Sequence, residues 1–283
     1  MSIADDEHAD MQGILGCLPS DDDALLVIQI TDPHLRKEED GKLLGMNTRS
    51  SLDAVLDLIQ QNHSKPNAVL ATGDLAQDGS VEAYRSFEEK VKVFDCPVYW
   101  FSGNHDSREA MQQVANAKGA LKKVVRMGEW QFIFLDSLVE GKVYGHLADA
   151  ELTLLDEALA ERPDLHSLVS FHHHPVDIDC AWLDAIGLKN REQLLSVIDK
   201  HENVRCLVWG HIHQEIDSFR KDVRLLATPS TCVQFLPKSE QFAVDHLAPG
   251  YRWLQLKSDG SINTGVERAD HIEFKVDYSS KGY

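Results

Sequence analysis

The sequence is short of cationic residues relative to its acidic ones. Its 283 residues include 28 Lys and Arg against 46 Asp and Glu, which gives a formal net charge of −18. Nucleic-acid binding needs clustered Lys and Arg that displace counterions from the phosphate backbone, and the sequence has no such cluster. We therefore expect no nucleic-acid polymer as substrate or partner, whereas a small phosphate ester held by metal is compatible with this charge.

The sequence also lacks paired cysteines and long apolar runs. Its cysteines are scattered, odd in number and never spaced as Cys-x-x-Cys: Cys17, Cys96, Cys180, Cys206 and Cys232. This usage argues against a disulfide framework or a zinc knuckle and favours reduced thiols. No apolar run reaches the length that crosses a membrane, and the acidic first residues lack the layout of a signal peptide. We therefore expect a cytoplasmic protein without a membrane partner.

No Pro-, Gly- or Ser-rich linker divides the chain, which is long enough for one large domain. We expect an acidic N-terminal arm at residues 1–24, a single domain at 25–270 and a C-terminal tail at 271–283. The first half indicates β-α-β-α-β, which implies right-handed crossovers and a largely parallel sheet. The second half adds a hairpin that turns at Gly128-Glu129. The sequence predicts an α/β fold, a four-layer α/β/β/α sandwich with two packed mixed sheets.

Five apolar segments end at polar residues that could bind a metal. These ends are Asp32-Pro33-His34, Gly73-Asp74, Gly103-Asn104-His105-Asp106, His172-His173-His174-Pro175 and Gly210-His211-Ile212-His213. In an open α/β sheet, ligands lie beyond the carboxyl ends of the strands, so we expect these side chains to meet at one rim. Within Asp32-Pro33-His34 and His211-Ile212-His213 we expect extended backbone, which points alternate side chains to the same side.

The candidate metal ligands are two carboxylates, one amide and four imidazoles. They are Asp32, His34, Asp74, Asn104, one of the three consecutive histidines, His211 and His213. Mixed nitrogen and oxygen ligands without a thiolate suit Mn, Fe, Zn or Co. Seven ligands are more than one ion with an open position needs. We therefore expect two divalent ions that share a bridging carboxylate, with Asp74 as the bridge.

Each of these motifs has an ordinary structural explanation when it is taken alone. A Gly-Asp pair after a strand is usually a turn, Asp and Pro both favour turns, and a His-x-His pair is more often simply exposed. Their joint occurrence at the ends of apolar strands is what predicts a site. Asp106 either orients His105 or caps the following helix.

In this order, the motifs resemble those of the calcineurin-like metallophosphoesterases, over roughly Ile28 to His213. Three further segments, at 44–48, 71–78 and 226–235, resemble the bacterial 3′,5′-cyclic AMP phosphodiesterases of this superfamily, the class III cyclic nucleotide phosphodiesterases. They extend the likeness from Leu26 to about Arg268.

The resemblance implies a set of site residues. One ion, usually iron, would be held by Asp32, His34, Asp74 and His213. The second, often manganese or iron, would be held by Asp74, Asn104, the strand-end histidine and His211. His105 would lie against the scissile phosphate, and Asp74 would bridge the two ions. We therefore expect His105 and Asp74 to be the catalytic residues. The substrate would contact His34, Asp74, Asn104, His105 and His213.

Because three histidines follow one another after this strand, the motif alone does not decide which of them is the metal ligand. Neighbouring side chains of an extended strand alternate faces, so His172 and His173 cannot both point at one ion. Aligning the final proline of the superfamily's His-His-Pro-Pro motif with Pro175 selects His172, whereas aligning His173-His174-Pro175 directly selects His173. His172 is favoured because it follows Phe171 without a break and is still held by the sheet.

The implied activity is hydrolysis of 3′,5′-cyclic AMP to 5′-AMP by a hydroxide that bridges two ions, which would lower cyclic AMP signalling. We expect His105, as an imidazolium, to donate a proton to the leaving oxygen. The alternative is a broader phosphodiesterase for other cyclic nucleotides or glycerophosphodiesters. A serine/threonine protein phosphatase of the superfamily would carry Asp-Arg-Gly after its Gly-Asp, and the arginine of that motif would bind phosphate. This sequence has Gln77-Asp78-Gly79 there, so a protein phosphatase is disfavoured. A non-enzymatic scaffold with this fold is disfavoured because such a protein should have lost metal ligands, and this sequence retains all of them.

Overall fold

The computed structural model describes residues 24–115 and 119–282. The expected N-terminal arm therefore lies outside the described residues, apart from Ala24. In chain order the strands are β1 (Leu25–Ile30), β2 (Lys42–Leu43), β3 (Met46–Asn47), β4 (Ala68–Ala71), β5 (Val98–Trp100), β6 (Val124–Met127), β7 (Trp130–Phe134), β8 (His166–Ser170), β9 (Val204–Trp209), β10 (Ile216–Arg220), β11 (Val223–Ala227), β12 (Gly250–Leu256) and β13 (Ile262–Arg268). The helices are α1 (Thr48–Asn62), α2 (Val81–Lys90), α3 (Arg108–Ala115), α4 (Asp149–Glu161), α5 (Ala181–Asp184) and α6 (Arg191–Ile198).

Most of these strands belong to two mixed sheets. The first has the order β13-β12-β1-β4-β5, in which β1, β4 and β5 are parallel and β12 and β13 are antiparallel additions. The second has the order β10-β11-β9-β8-β7-β6, in which β7, β8, β9 and β11 are parallel and the two edge strands are antiparallel. Strands β2 and β3 form a small separate hairpin.

Three apolar clusters define four layers. Helices α1 to α3 pack on the first sheet in one apolar cluster that includes Leu52, Tyr84 and Val69. Helices α4 and α6 pack on the second sheet through residues such as Leu155 and Leu194. Between the sheets lies a third cluster, built from the inner faces of both: Val27, Leu70, Leu254, Phe132, Leu168 and Val208. The predicted α/β/β/α sandwich is confirmed.

Local sequence explains where several elements begin and turn. Asn47 Oδ1 accepts a hydrogen bond from the Ser50 amide at 2.8 Å and caps α1, because the first amides of a helix have no partner within it. The expected hairpin is also present, since β6 and β7 are antiparallel and Met127 faces Trp130. Its two-residue turn uses Gly128 at φ +52°, a backbone conformation that favours glycine.

The described part of the expected C-terminal tail lies against the domain. The Asp277 amide donates to Leu44 O at 2.7 Å, and the Tyr278 ring lies 4.1 Å from that of His246. Phe274 packs against the apolar clusters of both outer layers. None of the helices in the described part of the chain combines the length and apolar character needed to cross a membrane.

Candidate metal centre

The loops that follow β1 and β4 run side by side past the ends of their strands. The Asp32 amide donates to Gly73 O at 3.1 Å, and the His34 amide donates to Asp74 O at 3.0 Å. Leu35 and Ala76 then form an isolated parallel bridge. This pairing brings the first two sequence motifs together at one edge of the sheet.

The loops that follow β5 and β9 are hydrogen-bonded to the carboxylates of Asp74 and Asp32. Asp74 Oδ1 accepts from the His105 amide at 2.8 Å, and Asp32 Oδ2 accepts from the His211 amide at 3.1 Å. A Cβ atom at Gly103 would lie 2.2 Å from Asp74 Oδ1. The chain can approach the carboxylate this closely only because residue 103 has no side chain.

The backbone at the site is not extended, so that expectation is wrong. Positive φ values occur at Asp32 (+53°), His34 (+48°), Asp74 (+50°), His211 (+66°) and His213 (+50°). Non-glycine residues rarely adopt this left-handed conformation, and it persists where surrounding contacts impose it. The physical reason is that each loop must turn sharply at the strand end for its side chains to converge on one point.

A first group of candidate ligands comprises Asp32, His34 and His213, all buried. His213 Nε2 lies 3.3 Å from Asp32 Oδ1 and 3.1 Å from His34 Nε2. His34 Nε2 lies 3.8 Å from Asp32 Oδ1. The three side chains therefore present nitrogen and oxygen atoms to one small volume.

A second group comprises Asp74, His172 and His211, which are also buried. His172 Nε2 lies 3.2 Å from Asp74 Oδ2. The same carboxylate oxygen lies 3.9 Å from His34 Nε2 of the first group. Asp74 therefore stands between the two groups.

Several atoms at this point are buried without a hydrogen-bond partner among the described residues: Asp32 Oδ1, Asn104 Oδ1, His172 Nε2 and His211 Nε2. Buried polar atoms almost always have a partner. The other ring nitrogen of His172 is bonded, since Nδ1 lies 2.8 Å from Thr72 O, and His213 of the first group likewise has its Nδ1 2.8 Å from Val233 O. Such contacts orient histidine ligands of metals, so this donor set fits divalent cations.

Electrostatics keeps Asp32 and Asp74 ionised and His34 and His211 neutral, the protonation states in which these groups bind metal. Burial lowers the pKa of His34 to about 3 and that of His211 well below its usual value. Burial alone would raise the pKa of Asp32 and Asp74, but neighbouring histidines outweigh it and both values are lowered. Burial would lower the pKa of His172, but the charges of Asp74 and Asp32 raise it to about 9. The carboxylates thus attract positive charge to this point.

Comparison with known proteins identifies the family. The model of the calcineurin-like phosphoesterases matches residues 25–215. The chain belongs to this family. The interpretation of the motifs as those of a calcineurin-like phosphoesterase is therefore confirmed.

Relatives of this phosphoesterase match almost its entire length. A protein of Pseudomonas aeruginosa named 3′,5′-cyclic adenosine monophosphate phosphodiesterase CpdA is 45% identical over 265 residues, which cover 94% of this chain and 97% of that protein. The CpdA of Escherichia coli K12 is 42% identical over 259 residues, which cover 91% and 94% respectively. A dimetal phosphatase from Danio rerio shares the fold, with a TM-score of 0.59 and 18% identity over 82% of this chain and 95% of that one.

The three consecutive histidines of this phosphoesterase have different surroundings. His172 lies beside Asp74, as described above. His173 Nδ1 lies 2.8 Å from Ser137 Oγ, and His174 Nε2 lies 3.7 Å from Asp184 Oδ1. The geometry supports His172 as the strand-end ligand.

Asp106 connects neighbouring loops of the site and does not cap the following helix. Its carboxylate accepts from the Gly103 amide at 2.8 Å, the Ala76 amide at 3.0 Å and the Tyr84 hydroxyl at 2.9 Å. Burial and the nearby Asp74 raise its pKa to about 7. Asp106 therefore joins the loops after β4 and β5, while the first turn of α3 is capped by Ser107, whose Oγ accepts from the Ala110 amide at 3.3 Å.

Sequence reasoning missed the groups that orient the ligands. The Phe235 ring stacks on His213 with centroids 4.1 Å apart, and Ser230 Oγ donates to Asp32 O at 2.7 Å. Both residues lie in segment 226–235, which was noticed only because it resembles the bacterial cyclic AMP phosphodiesterases, and no role was predicted for either residue. The contact of Gln77 with His105 was missed as well.

Proposed function

We propose that this chain hydrolyses 3′,5′-cyclic AMP to 5′-AMP with two divalent metal ions, and that it acts in the cytoplasm. The position of the Asp74 carboxylate between two groups of buried ligands is the observation that carries the proposal. The choice of substrate is supported by the CpdA relatives, which are 42–45% identical to this chain over most of its length.

The donor set indicates how the ions would be held. One would be bound by Asp32, His34, Asp74 and His213, and the other by Asp74, Asn104, His172 and His211. When bound, such a pair of ions activates water and neutralises negative charge on the reacting phosphate. The share of imidazole nitrogens suits Fe or Mn better than Mg.

The chain's own residues would bind the phosphate and supply a proton. Asn104 and His105 are half-buried at the edge of the centre, and the His105 ring lies 5.2 Å from that of His34, edge to face. With Nδ1 turned to Gln77, Nε2 lies on the other side of the ring. A proton held at Nε2 would pass to the leaving 3′ oxygen, which needs one to depart as an alcohol.

A substrate panel tests the proposal. The enzyme, with Mn²⁺ or Fe²⁺ restored, is assayed with cyclic AMP, cyclic GMP, 2′,3′-cyclic AMP and bis-p-nitrophenyl phosphate. We expect the highest kcat/KM for cyclic AMP, with 5′-AMP and not 3′-AMP as the product. Turnover of bis-p-nitrophenyl phosphate without turnover of cyclic AMP would instead indicate the broader phosphodiesterase.

A further inference from the structure

One polar side chain beside the metal centre has no part in the proposed reaction. Gln77 follows Asp74 by three residues and is half-buried. Its Nε2 lies 3.2 Å from His105 Nδ1. Gln77 is outside both groups of candidate ligands and contacts the histidine that would act on the substrate.

The backbone on both sides of this contact is held in place. The Gln77 amide donates to Leu35 O at 2.8 Å. The preceding amide, Ala76, donates to Asp106, which also accepts from the Gly103 amide two residues before His105. The separation of Gln77 from the His105 ring is therefore set by fixed loops, and the contact is not a chance meeting of exposed side chains.

We propose that Gln77 is a positioning residue that holds the His105 ring with Nε2 directed to the leaving oxygen. This inference rests on the proposed function. Removal of the Gln77 amide takes away one of the contacts that fix the orientation of the imidazole, so its donor atom would spend less time in line with the leaving oxygen. Small misplacements of a reacting group have large effects on rate.

The amide suits this role because it can both donate and accept. Gln77 Oε1 is buried without a hydrogen-bond partner among the described residues. The two ends of a glutamine amide exchange by rotation of the group, so Oε1 can take the place of Nε2 opposite the ring. Transfer of the Nε2 proton from imidazolium to the leaving oxygen leaves a neutral ring with its proton on Nδ1, and Oε1 would accept that hydrogen bond.

A double-mutant cycle tests whether Gln77 acts through His105. The cycle compares the wild type, Gln77→Leu, His105→Ala and the double variant. We expect Gln77→Leu to lower kcat for cyclic AMP by roughly 10–100-fold, the size of effect that misplacement of a reacting group can have, with KM little changed and metal content retained. In the His105→Ala background the same substitution should have no further effect, because its partner is already absent.

Two further comparisons exclude a general structural role. The loss on Gln77→Leu should be smaller with bis-p-nitrophenyl phosphate, whose leaving group needs no proton. Gln60→Leu, at a half-buried glutamine of α1 that donates to Val93 O, should leave kcat unchanged. If Gln77→Leu does not fold, Gln77→Ala is measured in the same cycle.

Three results would overturn the proposal: an unchanged kcat, an equal loss in both His105 backgrounds, or loss of metal from Gln77→Leu. The wild type is assayed in the same series. If it fails on cyclic AMP but cleaves 2′,3′-cyclic AMP, the proposed substrate is wrong. The double-mutant cycle is then measured with 2′,3′-cyclic AMP, which also has an alcohol leaving group.

Discussion

At the scale of single residues, the side chain that connects the centre is Asp74. Its Oδ1 accepts from the His105 amide at 2.8 Å, and its Oδ2 lies 3.2 Å from His172 Nε2 and 3.9 Å from His34 Nε2. One carboxylate thus fixes the loop that carries His105 and faces both groups of ligands. We expect changes at His172 to affect metal binding and changes at His105 to affect proton transfer.

His172→Ala should lose the second metal and nearly all turnover, because it removes a nitrogen beside Asp74. His173→Ala should keep both metals and lose less activity, because the His173 ring contacts Ser137 instead. Elemental analysis of both purified variants, with kcat for cyclic AMP, checks this prediction. The reverse ranking in metal content would move the ligand to His173.

His105→Ala should retain both metals yet slow cyclic AMP hydrolysis by roughly 10²–10⁴-fold, the usual contribution of a general acid. The loss should shrink with bis-p-nitrophenyl phosphate because nitrophenolate departs without a proton. His146→Ala, at an exposed histidine, is the control. Equal losses with both substrates would argue against the acid role, and loss of metal would make His105 a ligand.

At the scale of elements, the site depends on how loops are tied to helices. The Tyr84 side chain of α2 is fully buried. Its hydroxyl donates to Asp106 at 2.9 Å and accepts from the Ser107 amide at 2.8 Å. Burial and the charge of Asp106 raise the pKa of Tyr84, so the hydroxyl keeps its proton. This one group joins α2 to the start of α3 and to the loop of His105.

Tyr84→Phe should lower the free energy of unfolding by about 1–3 kcal/mol, because it leaves the half-buried Ser107 amide and the buried Asp106 carboxylate each short of a partner. Urea unfolding of wild type and variant measures the difference. Tyr278→Phe changes an exposed tyrosine and should stay within about 0.5 kcal/mol of the wild type. Equal stability of Tyr84→Phe and the wild type would show that this link is not needed.

At the scale of the whole molecule, the centre exists only if the two sheets are stacked in one register. Asp32, Asp74 and Asn104 follow strands of the first sheet, whereas His172 and His211 follow strands of the second.

Buried polar contacts fix the register of the two sheets. Gln29 Nε2 of the first sheet donates to Trp209 O of the second at 3.0 Å. The Arg252 guanidinium of β12 donates to Ala227 O at 2.9 Å and to Ile216 O at 3.0 Å. These groups would lose their partners if one sheet slid over the other.

The sequence predicts the layers and the candidate ligands because both have signatures in residue type. Buried parallel strands are short apolar runs, and the polar residues that end them must meet where the strands end. Other features have no such signature. Val233 and Thr72 act through backbone carbonyls, which every residue has, and the left-handed backbone at Asp32 and His213 is imposed by tertiary contacts.

The central claim is that Asp74 holds two ions together in a cyclic AMP phosphodiesterase, and Asp74→Asn tests it most directly. The substitution removes the charge of the bridge with little change in shape. Asp78→Asn is the matched control, because Asp78 lies in the same loop but is exposed. Metal content and cyclic AMP turnover are measured on both. We predict fewer than two ions per chain and no detectable turnover for Asp74→Asn, with both retained in Asp78→Asn. Two bound ions and normal turnover in Asp74→Asn would contradict the claim.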